Sequence, residues 1–179
     1  MLCDRSIARY LAAGDIVIEP APLQAALQPA SVDLHLGPAF IGVENLNDEQ
    51  VFQAGLPIAP ATVYPPSPAT VYINPGECVL GSTMERVTVP HFMVARVEGK
   101  STWGRRFLMI HSTAGFIDPG FEGFITLELK NLSPAPLLLP VGGPIAQISF
   151  DLLDEPCERP YGTAGNHYQG QSGPTVPAW

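Results

Sequence analysis

A mainly β, single-domain fold is what this sequence predicts, on three observations. With 179 residues, 46% of them hydrophobic, the chain can bury one good core but not two comfortable ones. Twenty prolines and seventeen glycines work against long helices and favour short strands joined by tight turns. Between residues 78 and 152, short apolar or alternating runs recur at regular spacing, the signature of a closed or sandwich-like β architecture.

Taken in order, residues 4 to 13 read as the one short helix. Asp4 can cap it, Ile7 and Leu11 share a face, and Gly14 can end it. Ile16 to Ile18 look extended. From Ala30 to Gly37 apolar and polar residues alternate as in a half-buried strand, which puts Asp33 and His35 on one face. Residues 53 to 69 contain Pro65-Pro66-Ser67-Pro68, a composition that argues against regular sheet and for an extended surface loop. Ala-Thr-Val-Tyr occurs at 61 to 64 and again at 69 to 72, two copies that do not amount to a solenoid repeat. After the turn signal Asn74-Pro75-Gly76, strands are predicted near 78 to 82, 86 to 89, 92 to 97, 107 to 112, 124 to 130, 136 to 139 and 145 to 152. The polar, Gly-rich tail, 159 to 179, should be mobile unless something docks it.

The net charge of −8 argues against a general nucleic-acid binder, which needs a broad basic surface to neutralise phosphates. The positive charge is nevertheless concentrated: Lys100, Arg105 and Arg106 fall within seven positions, a cationic spot suited to one small polyanion. No run approaches the roughly 20 apolar residues of a membrane helix, and the first residues do not lead into a signal-peptide core. Cys3, Cys78 and Cys157 are odd in number and far apart, which suggests neither disulfides nor a thiolate zinc site. The expectation is a cytoplasmic protein with no membrane attachment.

The densest chemical cluster is Gly99-Lys100-Ser101-Thr102-Trp103-Gly104-Arg105-Arg106, whose cations, hydroxyls and glycines are the parts of a phosphate cradle. Val94 stands where a Walker A loop needs its first glycine, so that loop is excluded. Taken alone, the segment could equally be a solvated charged turn. It is followed by Thr113-Ala114-Gly115-Phe116-Ile117-Asp118-Pro119-Gly120-Phe121-Glu122-Gly123 and then by Ile125-Thr126-Leu127-Glu128-Leu129. Glu128 on such an apolar strand would, by itself, more often be an outward, solvated residue.

Together these stretches resemble the central motif block of the dCTP deaminases, in the dCTP deaminase and dUTPase superfamily. There a Gly-Arg/Lys-Ser-Ser-x-x-Arg loop precedes a His-x-Thr-Ala stretch, an Ile-Asp-x-Gly turn and a Leu-Glu strand. Leu2 to Ile7 resembles the family's amino terminus, and Ser31 to Gly37 its first motif. Arg159-Pro160-Tyr161 with Tyr168 to Gly173 resembles its flexible closing segment. The resemblance spans most of the chain and is weakest over 53 to 69.

That resemblance implies a distorted, jelly-roll-like β-barrel of the dUTPase type, assembled as a homotrimer with shared sites because the tail can cross to a neighbour. It makes Glu128 the general acid and base of hydrolytic deamination at cytosine C4, chemistry that one carboxylate can perform by moving protons in turn. Ser101 and Arg105 then contact the cytosine site and orient Glu128, with the arginine buried beside it, and the Ala114 carbonyl helps hold the water. Lys100, Ser101, Thr102 and Arg105 match nucleotide-binding positions, and Asp118 matches an aspartate that contacts the deoxyribose. Thr126 and Gln147 match base- or nucleotide-contacting positions, and Tyr161 and Gln171 match tail residues that close over the phosphates. The expected ligands are dCTP, with dUTP as a further substrate and dTTP as an inhibitor. Mg²⁺ is expected to arrive with the triphosphate, with Asp33 reaching it through water. Zinc is not expected, since the His-x-Glu and Pro-Cys-x-x-Cys constellation of zinc deaminases is missing from the sequence. His111 also matches a family position, although a lone His in an apolar strand is more often a satisfied core residue. Thr102, Trp103 and His167 depart from the family's usual residues, which bears on affinity and phosphate contacts.

Ala114-Gly115 resembles the branch that goes on to cleave dUTP to dUMP and pyrophosphate, since deaminases that stop at dUTP often carry a larger residue after the alanine. A glycine there would leave room for a second water, with Asp118 to activate it. Three alternatives remain open: a deaminase that releases dUTP, a dUTPase without deamination, and a nucleotide-binding regulator that turns over nothing.

Overall fold

The structure is a computed structural model, and it describes residues 1–43, 60–64, 70–163 and 165–176. Helix α1 spans Asp4–Ala13 and ends at Gly14, whose φ of 77° is the left-handed conformation glycine adopts freely. Its N-cap is Cys3, so Asp4 serves the first turn as an acidic residue near the positive helix end and not as the cap itself. Ile7 fixes the helix to the core, with no exposed surface.

Thirteen strands follow among the described residues: β1 (Val17–Glu19), β2 (Leu27–Gln28), β3 (Ser31–His35), β4 (Phe40–Val43), β5 (Pro60–Tyr64), β6 (Thr70–Ile73) and β7 (Cys78–Thr88); then β8 (Met93–Gly99), β9 (Leu108–Met109), β10 (Phe116–Ile117), β11 (Glu122–Asn131), β12 (Leu137–Pro140) and β13 (Pro144–Leu152). They form one sheet in the order β5-β4-β7-β11-β9, with β1 also on β7, and a second in the order β10-β8-β13-β3-β2. A bridge between Leu36 and Thr83 joins the two, and β6 pairs with β12 as a separate ribbon. All of these pairings are antiparallel. Ile7, Leu34, Leu36, Leu127, Leu129, Ile145, Ile148 and Phe150 are among the residues of the core between them.

Three differences from the sequence expectation have physical causes. The alternating stretch at 31–35 is not half-buried: Val32, Asp33 and Leu34 are all buried, since β3 lies between β13 and β2 and carries a packed face on each side. The two strands expected at 78–82 and 86–89 are one long β7, and the break between them is a bulge. Phe124 pairs with Arg86 and Thr126 with Ser82, so Thr83, Met84 and Glu85 all stand opposite Ile125. The Ile125 N–H, left without a ladder partner, donates to the buried Thr83 hydroxyl (3.0 Å), which donates in turn to the Glu85 carbonyl (2.7 Å). The glutamate's own carboxylate is gripped by the His35 N–H and ring (2.9 and 2.6 Å), which ties β7 to β3. Finally, Pro60–Tyr64 is a strand on β4, despite the Pro-rich composition around it. The rest of the loop expected at 53 to 69 lies outside the described residues.

A second short helix, α2 (Ser101–Gly104), begins the cationic segment. Trp103 is buried and donates its indole N–H to the Pro144 carbonyl (3.0 Å), while Arg106 lies over its ring at 5.1 Å. The chain leaves this turn through Phe107 with φ 62°, the only positive φ at a non-glycine among the described residues. For an L-residue that conformation costs about 1–2 kcal/mol.

Candidate active site

Strand β11 carries the first half of the site. Its burial alternates without a break, so Leu127 and Leu129 enter the core while Thr126 and Glu128 share the opposite face. That face lines a cavity of about 400 Å³. Glu128 is half-buried there, and its Oε2 accepts the Ser112 N–H at 2.7 Å, which orients the carboxylate. Ala114, just before β10, and Asp118, in the turn between β10 and β11, reach the same cavity.

The tail closes the cavity's other side. Tyr161 N–H donates to the Pro119 carbonyl (2.7 Å), Gly170 N–H to that of Glu122 (2.7 Å), and Phe124 N–H to that of Gln171 (3.1 Å). The Thr126 hydroxyl donates to Gln171 Oε1 (3.1 Å), which also accepts the Thr175 hydroxyl (2.7 Å). What docks the described tail is therefore its own chain. Gly120 is shaped for this contact: it has φ 88°, and a Cβ there would stand 2.7 Å from Pro160.

Six of the residues singled out in the sequence, Ala114, Asp118, Thr126, Glu128, Tyr161 and Gln171, thus meet around one cavity. The others do not line it. Ser101, Thr102 and Arg105 are exposed on and after α2, and Arg105 makes no ion pair among the described residues. The expectation of a buried arginine beside Glu128 is not met within a single chain. Lys100 pairs with Asp33, and Gln147 lies across the strands from both Asp33 and Glu98, so these three belong to one end of the second sheet. Asp33 Oδ1 is buried without a partner. Among the described residues no three His, Cys, Asp or Glu side chains gather as a metal cage.

Gly115 has a different basis from the one expected. A Cβ on Gly115 would stand 2.7 Å from the Val97 carbonyl and 3.0 Å from the His111 ring. The glycine accommodates close packing by the protein; the space beside it is filled and is not free for water. Trp103 seats the cationic turn on β13 through its indole N–H. His111 itself is half-buried, with Nε2 3.6 Å from Glu98. Sequence reasoning missed Ser112, Phe121, Ile125, Thr175 and Val176 at the site. Ser112 contributes only a backbone N–H, and the apolar wall residues carry no signal that separates them from core.

Comparison with known proteins bears on the family and the fold. The profile of the dCTP deaminase-like family matches residues 1–153. The chain belongs to that family. It is 45% identical to a "dCTP deaminase, dUMP-forming" of Kocuria rhizophila, over 98% of this chain and 93% of that one. It is 43% identical to a "dCTP deaminase" of Haloarcula marismortui, over 97% and 92% respectively. Among solved structures, the 2′-deoxycytidine 5′-triphosphate deaminase of Agrobacterium tumefaciens superposes with a TM-score of 0.65 at 22% identity, over 85% of this chain and 48% of that one. A phage phi11 dUTPase, described as coordinating a structural Mg(II) ion, gives 0.52 at 15% identity, over 80% and 94%. The mainly β, jelly-roll-like dUTPase-type fold expected from the sequence is thereby established.

Proposed function

We propose that this protein deaminates dCTP at cytosine C4 without zinc and then cleaves the resulting dUTP to dUMP and pyrophosphate, supplying dUMP for thymidine nucleotide synthesis in the cytoplasm. The observation that carries the first step is Glu128, held by a backbone N–H at the wall of a cavity large enough for a pyrimidine nucleoside. Glu128 takes a proton from water as the oxygen adds to C4 and passes it to N3. It then takes the second proton from the new C4 hydroxyl and delivers it to the amino group, so that ammonia leaves and the C4 carbonyl forms. Thr126 and the Ala114 carbonyl help hold the base and the water, and Asp118 contacts the deoxyribose. In the second step Asp118 takes the proton from a water attacking the α-phosphorus, and the α,β-bridging P–O bond breaks. Support for that step comes from the position of Asp118 at the cavity and from the dUMP-forming relatives.

The site is completed by a second copy of the chain. Ser101 and Arg105 are exposed while the cavity awaits a cation for the base and phosphates, which fits a homotrimer in which each cationic loop serves a neighbour's cavity. Lys100, Thr102 and Gln147 bind nucleotide from that same side, and Tyr161 and Gln171 close over it. Mg²⁺ comes with the triphosphate as part of the substrate, and Asp33 is the residue proposed to accept one of the ion's waters, a reading supported by its one unpartnered, buried carboxylate oxygen. dTTP, which shares the deoxyribose and triphosphate, acts as a competitive ligand.

The test is a time course of purified protein with dCTP and Mg²⁺ in which ammonia, dUTP, dUMP and pyrophosphate are all followed. Ammonia with matching dUMP and pyrophosphate is the expected result. Accumulating dUTP would reduce the enzyme to a deaminase alone, and no ammonia would overturn the deaminase reading.

A further inference from the structure

Phe107 is a residue that the reaction leaves without a role. It holds φ at 62°, a region in which a bulky non-glycine side chain is an outlier, and yet the residue is 64% exposed, so its own chain offers little packing to compensate. Beside it stands Leu132, 54% exposed, whose N–H donates to the Phe107 carbonyl at 2.9 Å. The base beneath them is firm: the Phe107 N–H donates to the Gly104 carbonyl at 3.0 Å, Trp103 is bonded to Pro144, and Arg106 is stacked on Trp103. The turn therefore presents an apolar pair outward from a fixed mount, two positions from Arg105.

Resting on the reading that Arg105 serves the cavity of a second copy, we infer that Phe107, with Leu132, is the apolar anchor that seats this turn on that copy. No residue of the turn from Lys100 to Phe107 lines its own chain's cavity. A contact that brings Arg105 to a second molecule carries Phe107 with it. An aromatic ring beside an arginine is also the pairing that concentrates interface energy, the ring filling a dry patch next to a desolvated cation. Burial against the second copy compensates the left-handed backbone, which the isolated chain leaves as uncompensated strain. The role is one of assembly and positioning; Phe107 does not touch the reacting atoms.

Sedimentation velocity over a dilution series, on wild type, F107G and F107N, with dCTP turnover measured on the same samples, tests this. Glycine and asparagine both accept the left-handed conformation, so folding is not at stake. The expected result is that both variants dissociate at protein concentrations at least about tenfold higher than wild type, with unchanged turnover per assembled molecule, while F107Y stays assembled. Variants that assemble as tightly as wild type would overturn the inference. A wild type that is monomeric while deaminating dCTP would overturn both the shared site and the anchor. A wild type that assembles, with variants that do not, but with no turnover in any sample, would support the anchor and sink the proposed function.

Discussion

Glu128 and Arg105 are proposed to act on the same base, but one chain gives them very different surroundings. Glu128 is half-buried on a central strand, its carboxylate fixed by the Ser112 N–H, with the tail bonded across the facing side of the cavity. Arg105 stands exposed after a four-residue helix, without an ion-pair partner among the described residues. The first half of the site is organised by the fold of one subunit. The second is an array of donors mounted firmly from below, through Trp103, and open above. On the proposed reading, a reaction that needs both is carried out by an assembly, in which the cavity would fix the proton shuttle and the loop would supply charge.

That contrast can be broken most decisively at Glu128. The Glu128→Gln variant is expected to keep binding dCTP and to lose deamination by about 10²–10⁴-fold, as assayed by ammonia release and by nucleotide binding on the same preparation. Near-normal turnover would remove Glu128 as the shuttle and with it the asymmetry between the two halves. Next in size are changes to the frame of the cavity. Thr83→Val takes away the hydroxyl that accepts the Ile125 N–H, leaving a buried donor unsatisfied at the β7 bulge. It should lower stability by about 1–3 kcal/mol in urea unfolding. Gly115→Ala should cost a similar amount, about 1–3 kcal/mol, because its Cβ meets the Val97 carbonyl. If that variant were fully stable, the turn could yield, and close packing would not be the reason for a glycine at 115. The smallest effect is expected at Gln171→Ala. Loss of its hydrogen bonds to Thr126 and Thr175 should speed proteolysis of the tail and raise KM for dCTP by a few-fold, at roughly 0.5–1.5 kcal/mol per bond.

Local chemistry was readable in the sequence where one element decides it. Helix α1 runs from Asp4 to Ala13 as its periodicity and Gly14 indicate, and the alternation in β11 puts Thr126 and Glu128 on one face. The β7 bulge was visible only as a gap between two expected strands, because a bulge interrupts the apolar pattern in the same way that a turn does. The burial of both faces of β3 depends on partners more than 60 residues away, such as Lys100 and Ile148, which no local window contains. For the site, the motif residues divide into a cavity set and a loop set, and that division follows from sheet order. Only three-dimensional pairing reveals that. The wall residues Ile125 and Val176 carry no chemical signature, and Ser112 acts through its backbone.

The shared site is the central claim, and mixing two inactive variants tests it most directly. Glu128→Gln keeps the loop and loses the shuttle, while Arg105→Ala keeps the shuttle and loses the loop. After dissociation and reassembly of an equal mixture, about one site in four should draw Glu128 from one variant and Arg105 from the other, so dCTP deamination should return to that fraction of the wild-type rate. A mixture that stays as inactive as its parts would show that both residues must come from one chain, and would contradict the account.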